Sequence, residues 1–269
     1  MSTYFNKKEV LKEKAEQHIK MIERNFKNET AECVQNTKIY GGDGATVTKT
    51  PKGKNEKIKI IVDNLDSVSS LCKHKDKDGR TAVLNFASYK NPGGMFKEGS
   101  SAQEECLCHA SNLYNVLSKI PEYYAWNKQH NNRALYTNRA LYTKDIVFLD
   151  ESVCIYGVDP VHVTADVITC AAPNYSAAGR YAGVSHEENE EALMERIAFI
   201  LDIAEENHVD TLILGAFGAG VFGQDAAVVA KCFKNCLDSR FYHFKTVYFS
   251  IVNRVKKDNY EKFRDVFET

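Results

Sequence analysis

The chain has 269 residues, which corresponds to one large domain or two small ones. Hydrophobic residues make up 43% and charged residues 26%, the composition of an ordinary soluble globular protein. The formal net charge of -1 gives no basic excess, so we expect no direct nucleic-acid binding, and a polyanionic partner would need a local site.

The first twenty residues contain no apolar core typical of a signal peptide. The longest weakly polar run, at 211–223, is too short and too rich in glycine to span a bilayer. Eight cysteines are scattered without a regular framework, so we predict a cytoplasmic protein with reduced thiols and no membrane association. Cys106, Cys108 and His109 lack a second ligand pair, which favours helix packing, and no metal site is predicted.

In the first half of the chain, apolar residues at helical spacing predict a helix over 6–27. A polar, turn-rich segment at 40–57 is predicted to be a loop with at most a short strand. Strands are predicted at 57–64 and 81–88, and the second is apolar nearly throughout, which is typical of a buried central strand. A single helix is predicted from about 101 to 119.

One hexapeptide, RALYT followed by Asn or Lys, occurs twice, at 133–138 and 139–144. This period is far too short for a solenoid repeat. We interpret the two copies as a local duplication in a connecting segment, without a functional role.

The second half alternates apolar strands with helices. Strands are predicted at 145–149, 152–156, 165–172, 210–217 and 245–252, and helices at 185–208, 225–237 and 258–267. This order favours a three-layer α/β/α domain with a largely parallel sheet. We predict residues 1–56 to be an N-terminal helical extension packed on the core, and residues 57–269 to be the main domain.

A glycine-rich loop, Gly215–Gly223, follows a predicted strand and precedes a helix that begins near Gln224. Free backbone N–H groups at such a junction favour phosphate binding, although the glycines could instead serve tight packing alone. The loop contains a GxGxxG match at Gly218, Gly220 and Gly223. A Rossmann unit is not indicated, because only about fifty residues remain after it, too few for the missing strands.

A second loop, at 91–94, also lies between a predicted strand and a predicted helix. Two such loops are expected to lie side by side at the carboxyl edge of the sheet, where open α/β sheets bind ligands. Two binding loops suit a ligand with a pyrophosphate and two sugars better than one with a single phosphate.

Two adjacent glutamates follow this loop. Glu104 lies at capping-box spacing from Ser101, and Gln103 lies at the same spacing from Ser100, so a capping role is one interpretation. Glu105 has no such role and could face a ligand. A helix N-terminus lowers a carboxyl pKa, whereas a neighbouring carboxylate and an apolar pocket raise it, and the sequence leaves that balance open.

These segments together resemble the bacterial-type poly(ADP-ribose) glycohydrolases, which are macrodomain proteins. The resemblance covers the N-terminal helix and the segments 83–105, 139–156, 165–174 and 212–237. Its most specific part is Gln103-Glu104-Glu105 after a glycine loop. It implies a macrodomain-like mixed sheet. The chain departs from the family at Met95, because the family has its third loop glycine at this position. A side chain is therefore expected where the backbone approaches the ligand.

The resemblance implies hydrolysis of ribose–ribose O-glycosidic bonds in poly(ADP-ribose), releasing ADP-ribose without a metal or an organic cofactor. Glu105 would be the general acid/base and Glu104 would bind the reacting ribose. The implied substrate-binding residues are Asn91, Gly93, Gly94, Gln103, Gly218, Ala219, Gly220, Val221, Phe222 and Gly223. The implied partner is ADP-ribose or its polymer on modified proteins, and we expect a monomer.

Two alternatives remain at this stage. One is removal of single ADP-ribose units from protein or nucleic acid, with Met95 reshaping the pocket. The other is a binding module that recognises ADP-ribose without cleaving it. The intact pair Glu104 and Glu105 argues against pure binding, and Met95 argues for it.

Overall fold

A computed structural model of the chain describes residues 2–53, 58–75, 79–149, 162–253 and 258–268. The strands in this part are β1 (Lys38–Tyr40), β2 (Lys59–Asp63), β3 (Thr81–Phe86), β4 (Ala140–Leu149), β5 (His162–Cys170), β6 (Thr211–Leu214) and β7 (Thr246–Ser250). The helices are α1 (Ser2–Asn25), α2 (Lys27–Gln35), α3 (Ser67–His74), α4 (Gln103–His109), α5 (Leu113–Leu117), α6 (Pro121–Gln129), α7 (Tyr175–Ala182), α8 (His186–Glu206), α9 (Ala226–Ser239) and α10 (Asn259–Phe267). A short 3-10 turn spans Asn132–Ala134.

The seven described strands form one mixed sheet in the order β1-β4-β5-β3-β6-β7-β2. Neighbouring strands from β5 to β2 pair in parallel, so the five strands end at one common edge. β4 pairs antiparallel with β5 and with β1. The predicted largely parallel sheet is therefore confirmed, with an antiparallel pair added at one side.

Successive side chains of the central strand β3 point to opposite faces of the sheet, and each face is covered by helices. Ala82 and Leu84 belong to an apolar core that includes buried residues of α8 and α9. Val83 points to the other core, with Leu107 of α4 and Leu113 of α5. Since both faces of the strand are buried, the nearly continuous apolar run at 81–86 has a physical reason, and the predicted α/β/α layering is confirmed.

The N-terminal helix α1 contacts the core that contains Val83 and Leu107, and it also contacts the loop that follows β3. Ala15 and Ile22 are fully buried. Gly99 has a φ of +77°, and a Cβ at this position would lie 2.2 Å from the backbone oxygen of Lys8. Only glycine fits there, so the loop and the helix backbone meet directly. The domain division after residue 56 stays a prediction.

The predicted single helix at 101–119 is wrong. The structure has two helices, α4 and α5, because the segment between them pairs with β4. The amide of Leu149 donates to the oxygen of Ala110, and the amide of Asn112 donates to the oxygen of Val147. The side-chain oxygen of Asn112 accepts from the amide of Val147 at 3.0 Å. These bonds to a neighbouring strand replace the helical ladder for about one turn.

The two copies of the duplicated hexapeptide have different structures. The second copy begins β4, which therefore starts earlier than the predicted strand at 145–149. The first copy contains part of the 3-10 turn and three residues with positive φ: Arg133, Ala134 and Tyr136. The strand predicted at 152–156 lies outside the described residues.

Replacing Leu84 with alanine tests the central packing. Leu84 is fully buried in the sheet, so Leu84→Ala is expected to lower the free energy of unfolding by about 2–5 kcal/mol through lost burial and a residual cavity. Urea denaturation would measure this loss. Val10→Ala, at an exposed position of α1, is the control and is expected to change stability by less than about 0.5 kcal/mol. A similar effect of both substitutions would contradict the assigned core.

Candidate functional site

A cavity of ≈ 430 Å³ opens at the edge where the parallel strands end. Its walls come from the residues after β3, the first turn of α4, Ala172 after β5, and the glycine-rich loop after β6. The expectation that the two glycine loops lie side by side is thus confirmed. Of the predicted site residues, the cavity is lined by Asn91, Gly94, Gln103, Glu104, Glu105, Gly218, Gly220, Val221 and Phe222.

Three predicted site residues do not line this cavity. Gly93 packs against the ring of Tyr114, to which an added Cβ would come within 2.7 Å. Gly223 lies against Ser176, whose hydroxyl would be 2.2 Å from such a Cβ. Ala219 lines an adjoining cavity of ≈ 250 Å³ that shares Gln103 and Gly220 with the first. The geometry of these three residues shows how the loops are shaped, and direct ligand contacts by them stay predictions.

The turn at Gly93 and Gly94 lies directly over the two glutamates. Gly94 has a φ of +61°, and a Cβ there would be 2.6 Å from Oε1 of Glu105 and 2.9 Å from Oε2 of Glu104. Any side chain would therefore displace the carboxyl groups. A glycine at this position allows the backbone to touch both acids at once.

Glu105 is buried, with 5% of its surface exposed. The amide of Met95 donates to its Oε1 at 2.9 Å. Its Oε2 is buried and has no hydrogen-bond partner among the described residues. An unpaired polar atom at a cavity wall is costly to the folded state and is the kind of group that a ligand would satisfy.

Glu104 is also buried, and its two oxygens are engaged. The amide of Ser88 donates to Oε2 at 2.7 Å, and the side chain of Asn85 donates to Oε1 at 3.2 Å. Burial and, to a smaller extent, the charge of Glu105 raise the pKa of Glu104 to about 8, although the donors from Ser88 and Asn85 act in the opposite direction. Glu104 is therefore mainly protonated at neutral pH.

The capping interpretation of this segment is wrong. The residue at the N-cap of α4 is Ala102, and no side chain caps this helix end. Glu104 instead points back to the strand end at Asn85 and Ser88. Burial in the cavity wall, rather than exposure at a helix start, decides its contacts.

Gln103 fixes the start of α4 to the end of β3. Its side-chain oxygen accepts from the amide of Phe86 at 2.8 Å. Its side-chain nitrogen donates to the oxygen of Leu84 at 2.8 Å and to the hydroxyl of Ser67 at 3.0 Å. Because these groups occupy both ends of the amide, Gln103 holds the two glutamates in place relative to the sheet.

Asn91 is exposed at the cavity mouth. The hydroxyl of Ser88 accepts from its amide at 3.2 Å, and its backbone oxygen accepts from the amide of Gly94 at 3.1 Å. The backbone of Asn91 thus closes the turn over the carboxyl groups, while its side chain remains available to a ligand in the cavity.

Met95 places a side chain at the cavity without changing the backbone of the turn. Its side chain is 49% exposed and lines the cavity, as expected for a side chain in the place of a loop glycine. The positive φ values of the loop fall on Gly93, Gly94 and Gly99, and Met95 does not require one. The replacement of glycine therefore leaves the backbone contact to Glu105 intact.

The glycine-rich loop after β6 is fixed at one end and open at the other. Gly218 has a φ of +77°, and a Cβ there would be 2.7 Å from the side chain of Ala172. A Cβ on Gly220 would meet no atom within 4 Å. The amides of Gly220, Val221 and Phe222 donate no hydrogen bond within the described part of the chain. Such a row of free N–H groups can bind an anion.

Gln224 and Asn189 hold this loop to its neighbours. Their side-chain amides donate to each other at 2.8 and 2.9 Å. Gln224 also donates to the oxygen of Pro173 at 2.8 Å. Both side chains are buried, and the pair links the glycine loop to α8 and to the residues after β5. Sequence reasoning missed this pair, since nothing in the local pattern marks residues 35 positions apart as partners.

Phe222 lines the cavity and contacts the first copy of the duplicated hexapeptide. Its ring lies edge-on to Tyr136 at 6.1 Å, and Tyr136 stacks on Tyr89 at 4.0 Å. The first copy therefore supports the cavity wall, and the expectation that the duplication has no functional role overlooked this contact. The tyrosine of the first copy, Tyr136, was the residue in the sequence that could have indicated such a contact.

The CLCH segment has a structural role, as expected. Cys108 is fully buried and His109 packs edge-on against Phe96 at 4.5 Å. Within the residues that the structure describes, no group of three or more His, Cys, Asp or Glu side chains is placed to bind a metal ion.

Comparison with protein families gives one match of direct relevance. The model of the microbial-type PARG catalytic domain matches residues 7–151, which include most of the N-terminal helix, the turn at Gly94 and both glutamates. A search of curated proteins found no match.

Solved structures extend the comparison over nearly the whole chain. The poly(ADP-ribose) glycohydrolase from Thermomonospora curvata is 26% identical, with a TM-score of 0.82, and the match covers 96% of this chain and 100% of that one. The same enzyme bound to the inhibitor ADP-HPD is 25% identical over the same shares, with a TM-score of 0.81. The enzyme from Deinococcus radiodurans in complex with ADP-ribose is 28% identical, with a TM-score of 0.75, covering 90% of this chain and 98% of that one.

The raised pKa of Glu104 predicts a pH-dependent stability. Between the ordinary value of 4.5 and about 8, the folded protein holds a proton that the unfolded chain has released. The free energy of unfolding should therefore fall as the pH rises through this window, by an amount of the order of a few kcal/mol, and this contribution should level off above it.

Urea denaturation between pH 5 and pH 9 measures this effect. Glu104→Gln removes the titrating group, so its pH profile should lack this fall. The exposed Glu122→Gln should keep the profile of the parent. Parallel profiles for the parent and Glu104→Gln would show that Glu104 does not hold its proton near neutral pH.

Proposed function

The chain belongs to the family of the microbial-type PARG catalytic domain, and on that basis we propose that it hydrolyses the ribose–ribose O-glycosidic bonds of poly(ADP-ribose). The product is ADP-ribose. The observation that carries the proposal is the unpartnered Oε2 of Glu105, buried at the wall of a cavity that also contains a row of free backbone amides.

The glycine-rich loop suits the diphosphate of the ligand. Gly220, Val221 and Phe222 offer backbone N–H groups without a competing partner in the described structure. Gly220 leaves open space where a side chain would stand, so an anion can approach the backbone closely. Phe222 then lies beside the ribose that precedes the scissile bond, and its ring is held by Tyr136.

Glu105 supplies both proton transfers. Its carboxyl group gives a proton to the glycosidic oxygen while the bond from that oxygen to the anomeric carbon breaks, and the electron pair leaves with the oxygen. A water molecule then adds its oxygen to the anomeric carbon and returns a proton to Glu105. One water is consumed, two hydroxyl groups form, and the carboxyl group is restored. The amide of Met95 fixes Oε1, which leaves Oε2 for the proton.

Glu104 positions the reacting ribose. Its raised pKa means that it carries a proton at neutral pH, which it can donate to a ribose hydroxyl. Asn91 binds the same ribose from the cavity mouth, and Gln103 acts through its anchoring of α4.

The proposed partner is ADP-ribose or its polymer on modified proteins. No helix in the described ranges is long and apolar enough to cross a membrane. The monomeric state, the cytoplasmic location and the absence of direct nucleic-acid binding stay predictions from the sequence.

Glu105→Gln tests the assigned acid. The amide cannot transfer the proton, so release of ADP-ribose from labelled polymer should fall by about 10²–10⁴-fold. Isothermal titration should show that ADP-ribose still binds, because the glycine-rich loop is unchanged. Glu122→Gln, at an exposed site on α6, is the matched control and should keep full activity.

Three outcomes separate the candidate functions. Cleavage of polymer that Glu105→Gln abolishes supports the proposal. Release of ADP-ribose only from mono-ADP-ribosylated protein would favour the single-unit hydrolase, whereas binding of ADP-ribose without any cleavage would favour a recognition module. Full activity of Glu105→Gln would refute the assigned mechanism.

Gly220→Ala tests the diphosphate site without disturbing the fold. An added Cβ would meet no protein atom, so the melting temperature should stay the same. The methyl group would stand where the anion approaches the backbone, and the Kd for ADP-ribose should rise about tenfold, an energy of about 1.4 kcal/mol. Gly179→Ala, where the new Cβ would make only ordinary contacts on α7, is the control and should bind normally. Unchanged binding by Gly220→Ala would exclude this loop as the diphosphate site.

A further inference from the structure

A second cavity lies next to the catalytic one. It measures ≈ 420 Å³ and is bounded by α1 on one side and by residues 98–102 on the other. Met95 and Ala102 line both cavities, so the Met95 side chain stands at their boundary. We call the second one the flanking cavity. The two volumes are nearly equal, and each is within the range of roughly 300–1,000 Å³ that is typical of small-molecule sites.

The flanking cavity meets the catalytic one at Met95, beside Glu105 and away from the glycine-rich loop. The glycine-rich loop, Gly218–Gly223, lines the catalytic cavity and does not line the flanking one. The amide of Met95, the residue at the boundary, donates a hydrogen bond to Oε1 of Glu105. A substrate whose diphosphate lies on the glycine-rich loop and whose scissile bond lies at Glu105 can continue past Met95 into the flanking cavity.

The flanking cavity offers cations and hydroxyl groups. Lys7 and Lys8 of α1 line it and are exposed, and Glu98 lines it with the opposite charge, so two positive groups face one negative group. The hydroxyl groups of Ser100 and Ser101, which also line it, make no hydrogen bond within the described chain. Phosphate oxygens are suitable partners for both lysines and hydroxyl groups.

The position of α1 over this cavity is fixed. Gly99 lets the backbone of the loop lie against the backbone oxygen of Lys8. Further along the same helix, Ala15 is fully buried in the core. The two lysines therefore belong to a helix that is packed on the loop between β3 and α4.

We propose that the flanking cavity binds the diphosphate of the ADP-ribosyl unit that carries the leaving hydroxyl, with Lys7 and Lys8 as the phosphate contacts. This inference rests on the proposed function and adds a second site for the polymer. It makes the enzyme select polymer over single ADP-ribosyl groups, because only the polymer has a diphosphate on that side of the scissile bond.

Binding in the Glu105→Gln background tests the inference, because that variant does not consume the polymer. Fluorescence polarisation would give Kd values for labelled poly(ADP-ribose) of defined length, and isothermal titration those for free ADP-ribose. The test variant adds Lys7→Gln and Lys8→Gln. The matched control adds Lys20→Gln and Lys27→Gln, which remove the same charge from exposed positions outside both cavities.

The parent should bind polymer more tightly than ADP-ribose. The Lys7→Gln/Lys8→Gln pair should weaken polymer binding about tenfold more than it weakens ADP-ribose binding, and the control pair should not. The slope of log K against log salt for the polymer should become shallower by about 1–2 for the two lost phosphate contacts.

Equal losses for the two lysine pairs, or equal losses for polymer and ADP-ribose, would overturn the inference. So would equal affinity of the parent for polymer and for mono-ADP-ribosylated protein. Hydrolysis of polymer by the wild-type protein in any of these cases would leave the proposed function standing. A wild-type protein that neither binds ADP-ribose nor cleaves polymer would refute both proposals.

Discussion

The contact of a glycine turn with two buried carboxyl groups is the constraint on which the site depends. Gly94 lies so close to Glu104 and Glu105 that no side chain fits between them. Burial of two acids is costly unless each has a partner or a proton. Backbone amides and the raised pKa of Glu104 meet most of that requirement, and Oε2 of Glu105 is left without a partner among the described residues. The fold supplies the geometry by ending β3 and starting α4 beside the same turn.

Much of the fold follows from periodicity. The long amphipathic helix α8 and the apolar strands β3, β6 and β7 are strong local patterns, and burial on both faces gives β3 its nearly continuous run of apolar residues. The break between α4 and α5 could not be predicted, because it depends on hydrogen bonds to β4, which is distant in sequence. The two copies of RALYT show the same limit, since one is a turn and the other a strand.

The parts of the candidate site that depend on local sequence could be predicted. Glycines at strand-to-helix junctions and the pair Glu104-Glu105 are visible in the sequence. The supporting contacts are not, because they join residues far apart: Gln103 to the end of β3, and Gln224 to Asn189. The capping interpretation failed for the same reason, since a local spacing rule competes with a tertiary contact to Ser88 and loses.

The N-terminal segment contributes the short strand β1 in addition to the helix that lines the flanking cavity. It covers the outer side of β4, whose N–H and C=O groups would otherwise form an open border of the sheet. Open borders recruit strands from other molecules, which leads to aggregation. A chain shortened to begin at residue 57 would keep the glutamates and the glycine loops and still be prone to self-association. The N-terminal segment therefore covers part of a sheet edge as well as forming one wall of the flanking cavity.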